Sequence, residues 1–238
     1  DALRAIEKEY NTRIKHPDED LGVEASTELD AWQEFAVRIS DERALLRERE
    51  LEQGVVRPSK PLRLILTGTA GTGKSLTVRS MVKGRRRIVK ARNGVRKDLP
   101  PKDPDLACIL GAPTGCAGFQ MKFGATTVHK AYSVPIGFIG PSNKNGKAFL
   151  ERQARLKQAS LHILDEMSMI SRMMLGKISY RVEEALGTAN GSFGGGDCVL
   201  AGDLRQIPPV EGNPLYKEGP YDGKALNKGE NAPSAVSL

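Results

Sequence analysis

The segment LILTGTAGTGKSLTV, residues 64–78, places the tightest constraint on the fold. A short apolar run meets a loop with glycines at positions 68, 71 and 73, and helix-favouring residues follow. Strand, glycine loop and helix in that order make the first half of a βαβ unit, and such units assemble into parallel sheets. LACILGA (106–112), LHILDE (161–166) and DCVLAGD (197–203) repeat the short apolar run. Between the last two, Met174, Ile178, Val182 and Leu186 recur every fourth residue up to Gly187, as on one face of a helix closed by glycine. The alternation predicts an α/β fold over residues 61–210, with a parallel sheet covered by helices on both faces. LRLILT (62–67) is expected as a buried strand.

Residues 1–60 read as a polar, helical segment and linker. In TELDAWQEFAVRI (27–39), Leu29, Trp32, Phe35, Ala36 and Ile39 share one helical face, with Thr27 as the expected N-cap. RPSKP (57–61) breaks the helix ahead of the first strand. After Val210 the apolar pattern stops, and residues 211–238 are expected to form an irregular tail. No apolar run reaches the length a bilayer crossing needs, so no membrane partner is expected. Three cysteines without metal-ligand spacing read as reduced thiols of an intracellular protein.

The net charge of +7 is concentrated in one place. Residues 83–97 carry eight basic side chains (Lys83, Arg85, Arg86, Arg87, Lys90, Arg92, Arg96 and Lys97) and no acidic one. Taking these eight from the 36 basic residues leaves 28 against 29 acidic. The segment reads either as a solvated basic insert, over residues 84–105, or as a contact for a nucleic-acid backbone.

Residues 68–75, GTAGTGKS, fit a phosphate-binding loop. Gly68, Gly71, Thr72 and Gly73 let backbone N–H groups turn toward a phosphate, and the following helix adds the positive end of its dipole. Lys74 is placed to reach the β- and γ-phosphates of a nucleotide, and Ser75 to offer its hydroxyl to Mg²⁺. Asp165, at the end of an apolar strand, is the candidate metal carboxylate, and Glu166 the candidate base for the attacking water. GDLRQIPPV (202–210) follows the next strand; it reads equally as a surface loop or as a third strand end at the phosphates, where Gln206 is a neutral amide suited to sensing a γ-phosphate.

The ordered set GTAGTGKS, APTGCAGF (112–119), TTVHKAYSVPI (126–136), LDEMSM (164–169) and GDCVLAGDLRQIPPV (196–210) resembles the Pif1-like branch of superfamily 1 DNA helicases, including those carried by Helitron transposons. The resemblance implies a P-loop NTPase fold with a RecA-like motor domain, ATP and Mg²⁺ as cofactors, and single-stranded DNA as partner with 5′→3′ polarity. It assigns Lys74, Ser75, Asp165, Glu166 and Gln206 the roles given above. It implies that Gln33 contacts adenine, and that Thr114, Gly115 and His129 grip the DNA strand. With few aromatic residues in the chain, contacts to the DNA backbone are expected to dominate.

Cys116 and Gly118 depart from the family pattern, which has a basic or aliphatic residue and an alanine there. The resemblance also implies a second RecA-like domain with arginines that complete the ATP site, and nothing after Val210 resembles it. The chain is therefore expected to be the first motor domain and a weak hydrolase alone, since such an arginine is worth about 10³–10⁵ in rate. The alternative is a transposon-derived remnant that binds nucleotide or DNA without unwinding.

Overall fold

The computed structural model describes residues 4–6, 8, 29–55, 60–187 and 191–217. Two units divide the chain: Asp1–Lys60 with Gly73–Cys108, and Pro61–Thr72 with Ile109–Leu238.

In the first unit, helix α1 (Ala31–Glu52) packs along helix α2 (Lys74–Val95). Asp30, not Thr27, is the N-cap of α1, and Thr27 lies outside the described residues. Asp30 Oδ1 accepts from the N–H groups of Trp32 and Gln33 at 2.8 and 2.9 Å, while Gln33 Oε1 accepts from the Asp30 N–H at 3.1 Å. This reciprocal capping box satisfies donors that a helix start otherwise leaves unpaired. The buried face of α1 consists of Ala36, Ser40, Asp41 and Ala44, whereas Trp32 and Phe35 lie exposed. That corrects the expected apolar face, and the reason lies in what α2 presents.

The basic segment 83–97 is not a solvated insert. It continues the helix that opens at Lys74, and Arg85 and Arg92 are buried in it. The Arg85 guanidinium donates to the Ser40 carbonyl (3.0 Å) and hydroxyl (3.2 Å). Arg92 pairs with Glu48 at 3.6 Å, Arg86 with Asp105 at 3.2 Å, and Arg96 with Asp98 at 2.9 Å. A buried guanidinium requires polar partners, so α1 offers Ser40, Asp41 and Glu48 where an apolar stripe was expected. Gly84 gives Asp41 room, because a Cβ there would overlap its carboxylate. Burial pushes the Lys83 ammonium below its ordinary range, and Arg87 and Arg79 beside it add to that.

The second unit is built on a five-stranded sheet of β1 (Arg63–Thr67), β2 (Cys108–Ala112), β3 (Thr126–Thr127), β4 (Leu161–Leu164) and β5 (Asp197–Gly202), ordered β1-β5-β4-β2-β3. Between strands lie helices α3 (Gly115–Met121), α4 (Val128–Tyr132), α5 (Lys147–Gln158) and α6 (Arg172–Leu186). Pairs β1–β5, β4–β5 and β2–β3 are parallel, and the fold is α/β. All residues of β4 and β5 are buried. β1 is at the sheet edge with Ile65 half exposed, which corrects the expectation of a buried strand, since an edge strand has one neighbour only. One core gathers Ile109, Leu164 and Leu200 of the sheet with Val128 and Tyr132 of α4, Leu156 of α5, Ile178 and Val182 of α6, and Phe193. Each such side chain contributes about 1.5–3 kcal/mol on burial. Cys198 shares this core, and burial pushes its thiol up to about 12.

Residues 213–215 pack against this unit. Arg172 N–H donates to the Asn213 carbonyl at 2.9 Å, Ser171 bridges to Pro214, and Leu215 packs on the core.

The loop between α4 and α5 is held by one face of α6. Lys177 donates to the Gly137 carbonyl at 2.5 Å and Arg181 to the Gly140 carbonyl at 3.0 Å. Glu184 accepts from the Ser142 N–H and hydroxyl and from Arg152 and Arg181. Spacings of four and three residues put Lys177, Arg181 and Glu184 on one helical face. Burial alone would raise the Glu184 carboxyl, but the bonds from Ser142 and Arg181 outweigh it and hold the group below its ordinary value. A depressed carboxyl contributes stability above its unfolded-state pKa and loses it as pH falls through the folded-state value. Glu184→Ala is therefore expected to destabilise by about 3–5 kcal/mol at neutral pH, since two arginines lose their buried partner. Urea melts at several pH values check this: the gap between native and variant should narrow on acidification, and a constant gap would rule out the ionised carboxylate as its source.

Candidate nucleotide and DNA site

The strand ends of the sheet unit carry most of the predicted residues. Parallel register aligns Thr67 of β1 with Gly202 of β5, and Leu164 of β4 with Leu200. Continuing that register brings Asp165 and Glu166 level with Ala201 and Gly202. The carboxyl ends of three adjacent strands therefore lie at one end of the sheet, where ligands of open α/β sheets collect.

After β1, the Gly68 N–H donates to the Gly202 carbonyl at 3.3 Å. A Cβ on Gly68 would stand 2.6 Å from Thr72 Oγ1, so glycine permits the loop to fold back on itself. Thr72 closes it, donating through N–H and hydroxyl to the Thr69 carbonyl at 3.4 and 2.9 Å. Gly71 has φ +81°, a left-handed conformation that glycine adopts without penalty.

After β4, Asp165 donates its N–H to the Gly111 carbonyl at 2.9 Å, and its side chain is half-buried. Glu166 then turns into the left-handed region with φ 52° and ψ 46°, also half-buried. Non-glycine residues enter this region at a cost of about 1–2 kcal/mol per residue. The turn lets consecutive carboxylates escape the strand alternation that would send them to opposite faces. Gly202 is a close-approach glycine, for a Cβ there would lie 2.8 Å from the Met167 nitrogen.

After β5, Asp203 Oδ1 accepts from the Arg205 N–H at 3.0 Å, and the Asp203 carbonyl from the Gln206 N–H at 3.0 Å. This turn buries Asp203 and leaves Arg205 and Gln206 exposed.

In the first unit, Gly73 caps α2 with φ 78°, and Lys74 is the first helical residue. No side chain caps this end and no acidic residue occupies its first turn, among the described residues. The positive end of its dipole therefore faces no carboxylate of its own first turn. Lys74 is half-buried and Ser75 exposed. The Gln33 side-chain nitrogen lies where a Cβ on Gly73 would project. The capping box thus does more than close α1: by engaging Oε1 it directs the amide nitrogen of Gln33 toward the start of α2.

The predicted DNA residues lie at the ends of β2 and β3. Gly111 and Ala112 pair with Thr126 and Thr127, so Thr114 and His129 each stand two residues past neighbouring strand ends. Thr114 caps α3, accepting from the Ala117 N–H at 3.2 Å, and Thr127 caps α4 from the Lys130 N–H at 3.4 Å. Their hydroxyl hydrogens can still donate. Gly115 is exposed, with open space where a Cβ would be. Gly118 packs close to β3: a Cβ on it would stand 3.2 Å from the Thr126 backbone. His129 Nδ1 stands 2.9 Å from the Val134 carbonyl, a bond that makes Nδ1 the donor and leaves Nε2 an acceptor. Phe119, 85% exposed on α3, and Phe138, 67% exposed on the clamped loop, add aromatic faces that composition did not reveal. The signal for Phe119 was present in APTGCAGF, but its exposure depends on the packing of α3.

The family model for the PIF1-like helicases matches residues 50–218. The chain is 31% identical over 170 residues to the ATP-dependent DNA helicase PIF1 of Candida albicans, a match covering 69% of this chain and 16% of that protein. It is 27% identical over 205 residues to the human ATP-dependent DNA helicase PIF1, covering 84% of this chain and 28% of that one. Among solved structures, the Pif1 helicase from Candida albicans matches with a TM-score of 0.50 and 25% identity over 78% of this chain and 35% of that one. A structure of two coordinating Pif1 helicases at forked double-stranded DNA matches with a TM-score of 0.51 and 24% identity, over 78% of this chain and 36% of that one, and shows the shared fold. The chain spans between 16% and 28% of the length of these two curated relatives. A parallel sheet whose strand ends carry the glycine loop, the Asp-Glu pair and the glutamine turn, together with a family match over most of its length, makes this chain a member of the PIF1-like helicase family.

Proposed function

We propose that this chain is the first motor domain of an ATP-dependent DNA helicase, binding Mg²⁺-ATP and single-stranded DNA and coupling hydrolysis to 5′→3′ translocation. The observation that carries the reading is the meeting of three strand ends, with the glycine loop, Asp165–Glu166 and the 203–206 turn at one end of the sheet. Their spacing by parallel register gives a phosphate chain three walls from one rigid element.

Within this reading, residues 68–73 hold the phosphates by backbone N–H groups and Lys74 neutralises their outer charge. Ser75 and Asp165 offer oxygen donors, the type a hard cation prefers, and Mg²⁺ typically takes only one or two such protein ligands. When bound, Mg²⁺ neutralises charge on the β- and γ-oxygens. Glu166 accepts the proton of the water that attacks the γ-phosphorus, and the bond to the bridging oxygen breaks to release ADP. Gln206, exposed on its turn, donates a neutral hydrogen bond to the γ-phosphate. Thr114 and Gly115 hold DNA phosphates beside the ends of β2 and β3 by hydroxyl and backbone N–H, and His129 lies near a base or sugar.

Lys74→Ala should abolish Mg²⁺-ATP binding measured by calorimetry, and unchanged affinity would remove the loop from this role. Glu166→Gln should bind Mg²⁺-ATP normally while DNA-stimulated turnover falls about 10²–10⁴-fold. Normal turnover would exclude Glu166 as the base.

Gln33→Glu separates capping from binding, because glutamate keeps the acceptor for Asp30 N–H and loses the amide donor. Its melting temperature should match the native chain while Mg²⁺-ATP affinity falls. Equal affinity would confine Gln33 to its cap.

A further inference from the structure

The strand that delivers Asp165 and Glu166 carries a histidine inside the core. His162 of β4 is fully buried, as is Tyr132 at the end of α4. The Tyr132 hydroxyl stands 3.3 Å from His162 Nδ1, and the His162 ring meets those of Tyr132 and Phe193 at 5.8 and 5.7 Å. Burial pushes the Tyr132 phenol well above its ordinary range, so the protonated hydroxyl donates and Nδ1 accepts. A buried polar atom that loses its partner costs about 1–3 kcal/mol. The bond therefore fixes the position of α4 on the sheet more sharply than apolar contact does.

Both ends of the bond lead to predicted site residues, all within one unit. Helix α4 is little more than one turn, five residues at about 1.5 Å each, so Thr127 and His129 move with Tyr132. The end of that turn is locked: the Val134 N–H donates to the His129 carbonyl at 3.0 Å, and Arg155 donates to the Ala131 carbonyl. Gly111 of β2 lets the helix lie close, since a Cβ there would stand 3.1, 3.3 and 3.4 Å from Val128, Leu164 and Tyr132. On the strand side, His162 and Leu164 share the face of β4 that α4 covers, and Asp165 and Glu166 follow directly.

We propose that Tyr132 and His162 are a positioning pair that passes DNA binding at the start of α4 to the Asp165–Glu166 turn, a role that rests on the DNA reading above. A strand seated at Thr127 and His129 shifts α4, the bond carries the shift to β4, and the turn beyond the strand follows. Glu166 is the bistable element there. Its left-handed backbone, φ 52°, is held by its surroundings, and its carboxylate swings when they yield. The pair touches neither DNA nor nucleotide, so it acts only through the residues it places.

Tyr132→Phe removes the bond at the cost of one oxygen atom. In the unaltered chain, an oligothymidylate should slow hydrogen exchange at the amides of residues 165–169 about 2- to 10-fold, the range that one hydrogen bond supports. Tyr132→Phe should abolish that response while oligothymidylate affinity, read by fluorescence polarisation, stays within about twofold. His162→Asn, which keeps an acceptor near the Nδ1 position, should retain part of the response. A DNA-induced difference at 165–169 that survives Tyr132→Phe would overturn the pairing, even if exchange speeds up throughout the sheet, since the bond would then be structural only. Loss of oligothymidylate affinity in Tyr132→Phe would also overturn it, by placing the effect at the DNA contact. Binding that leaves 165–169 unchanged in the unaltered chain would overturn the coupling and keep the DNA reading. No binding by the unaltered chain would overturn the DNA reading and this inference with it.

Discussion

Parallel pairing of β5 between β1 and β4 is the constraint on which the site depends. Because register is conserved along parallel strands, the chain leaves each of the three at nearly the same height. Two glycines make that meeting possible at backbone distance. Gly68 accepts the folded-back Thr72 and donates to Gly202, while Gly202 admits the Met167 nitrogen. A Cβ at Gly68 would press on the Thr72 hydroxyl, and one at Gly202 on the Met167 backbone. Glu166 turns left-handed right after β4 and opens the short helical turn Met167–Met169.

The two units handle buried charge in the same manner for different ends. In one, Arg85 and Arg92 of α2 are matched by Ser40 and Glu48 of α1, so a strongly basic stretch becomes a helix–helix interface. In the other, Lys177, Arg181, Glu184 and Arg152 hold the carbonyls and Ser142 of a loop that carries exposed Ile136 and Phe138. Buried ions of this kind give little net stability over apolar substitutes but penalise every alternative arrangement heavily. They therefore fix which surface faces solvent, and that surface is where apolar and aromatic groups remain available to a ligand.

Capping links helix formation to recognition. Asp30 and Gln33 close α1, Thr114 closes α3 and Thr127 closes α4, and each lies beside a predicted contact. A capping side chain is held in one rotamer by the backbone it serves. Its remaining donor then points in a defined direction without further ordering, as with the Gln33 amide toward Gly73.

Strand–helix alternation, the glycine loop, the Asp-Glu pair and the closing Gly187 were readable from residue order, because each is specified by neighbours within a few positions. The four apolar runs became β1, β2, β4 and β5, and the four-residue repeat became α6. Burial was not readable in the same way. Trp32 and Phe35 matched an apolar helical stripe yet stand exposed, Ile65 matched a buried strand yet lies at an edge, and residues 83–97 matched a solvated insert yet bury two arginines. Each of those outcomes depends on a partner 20 or more residues away: Ser40 for Arg85, β5 for β1, α2 for α1. Local order writes the elements and their motifs, whereas the side of each element that meets water is decided by which distant surface matches it in shape and charge.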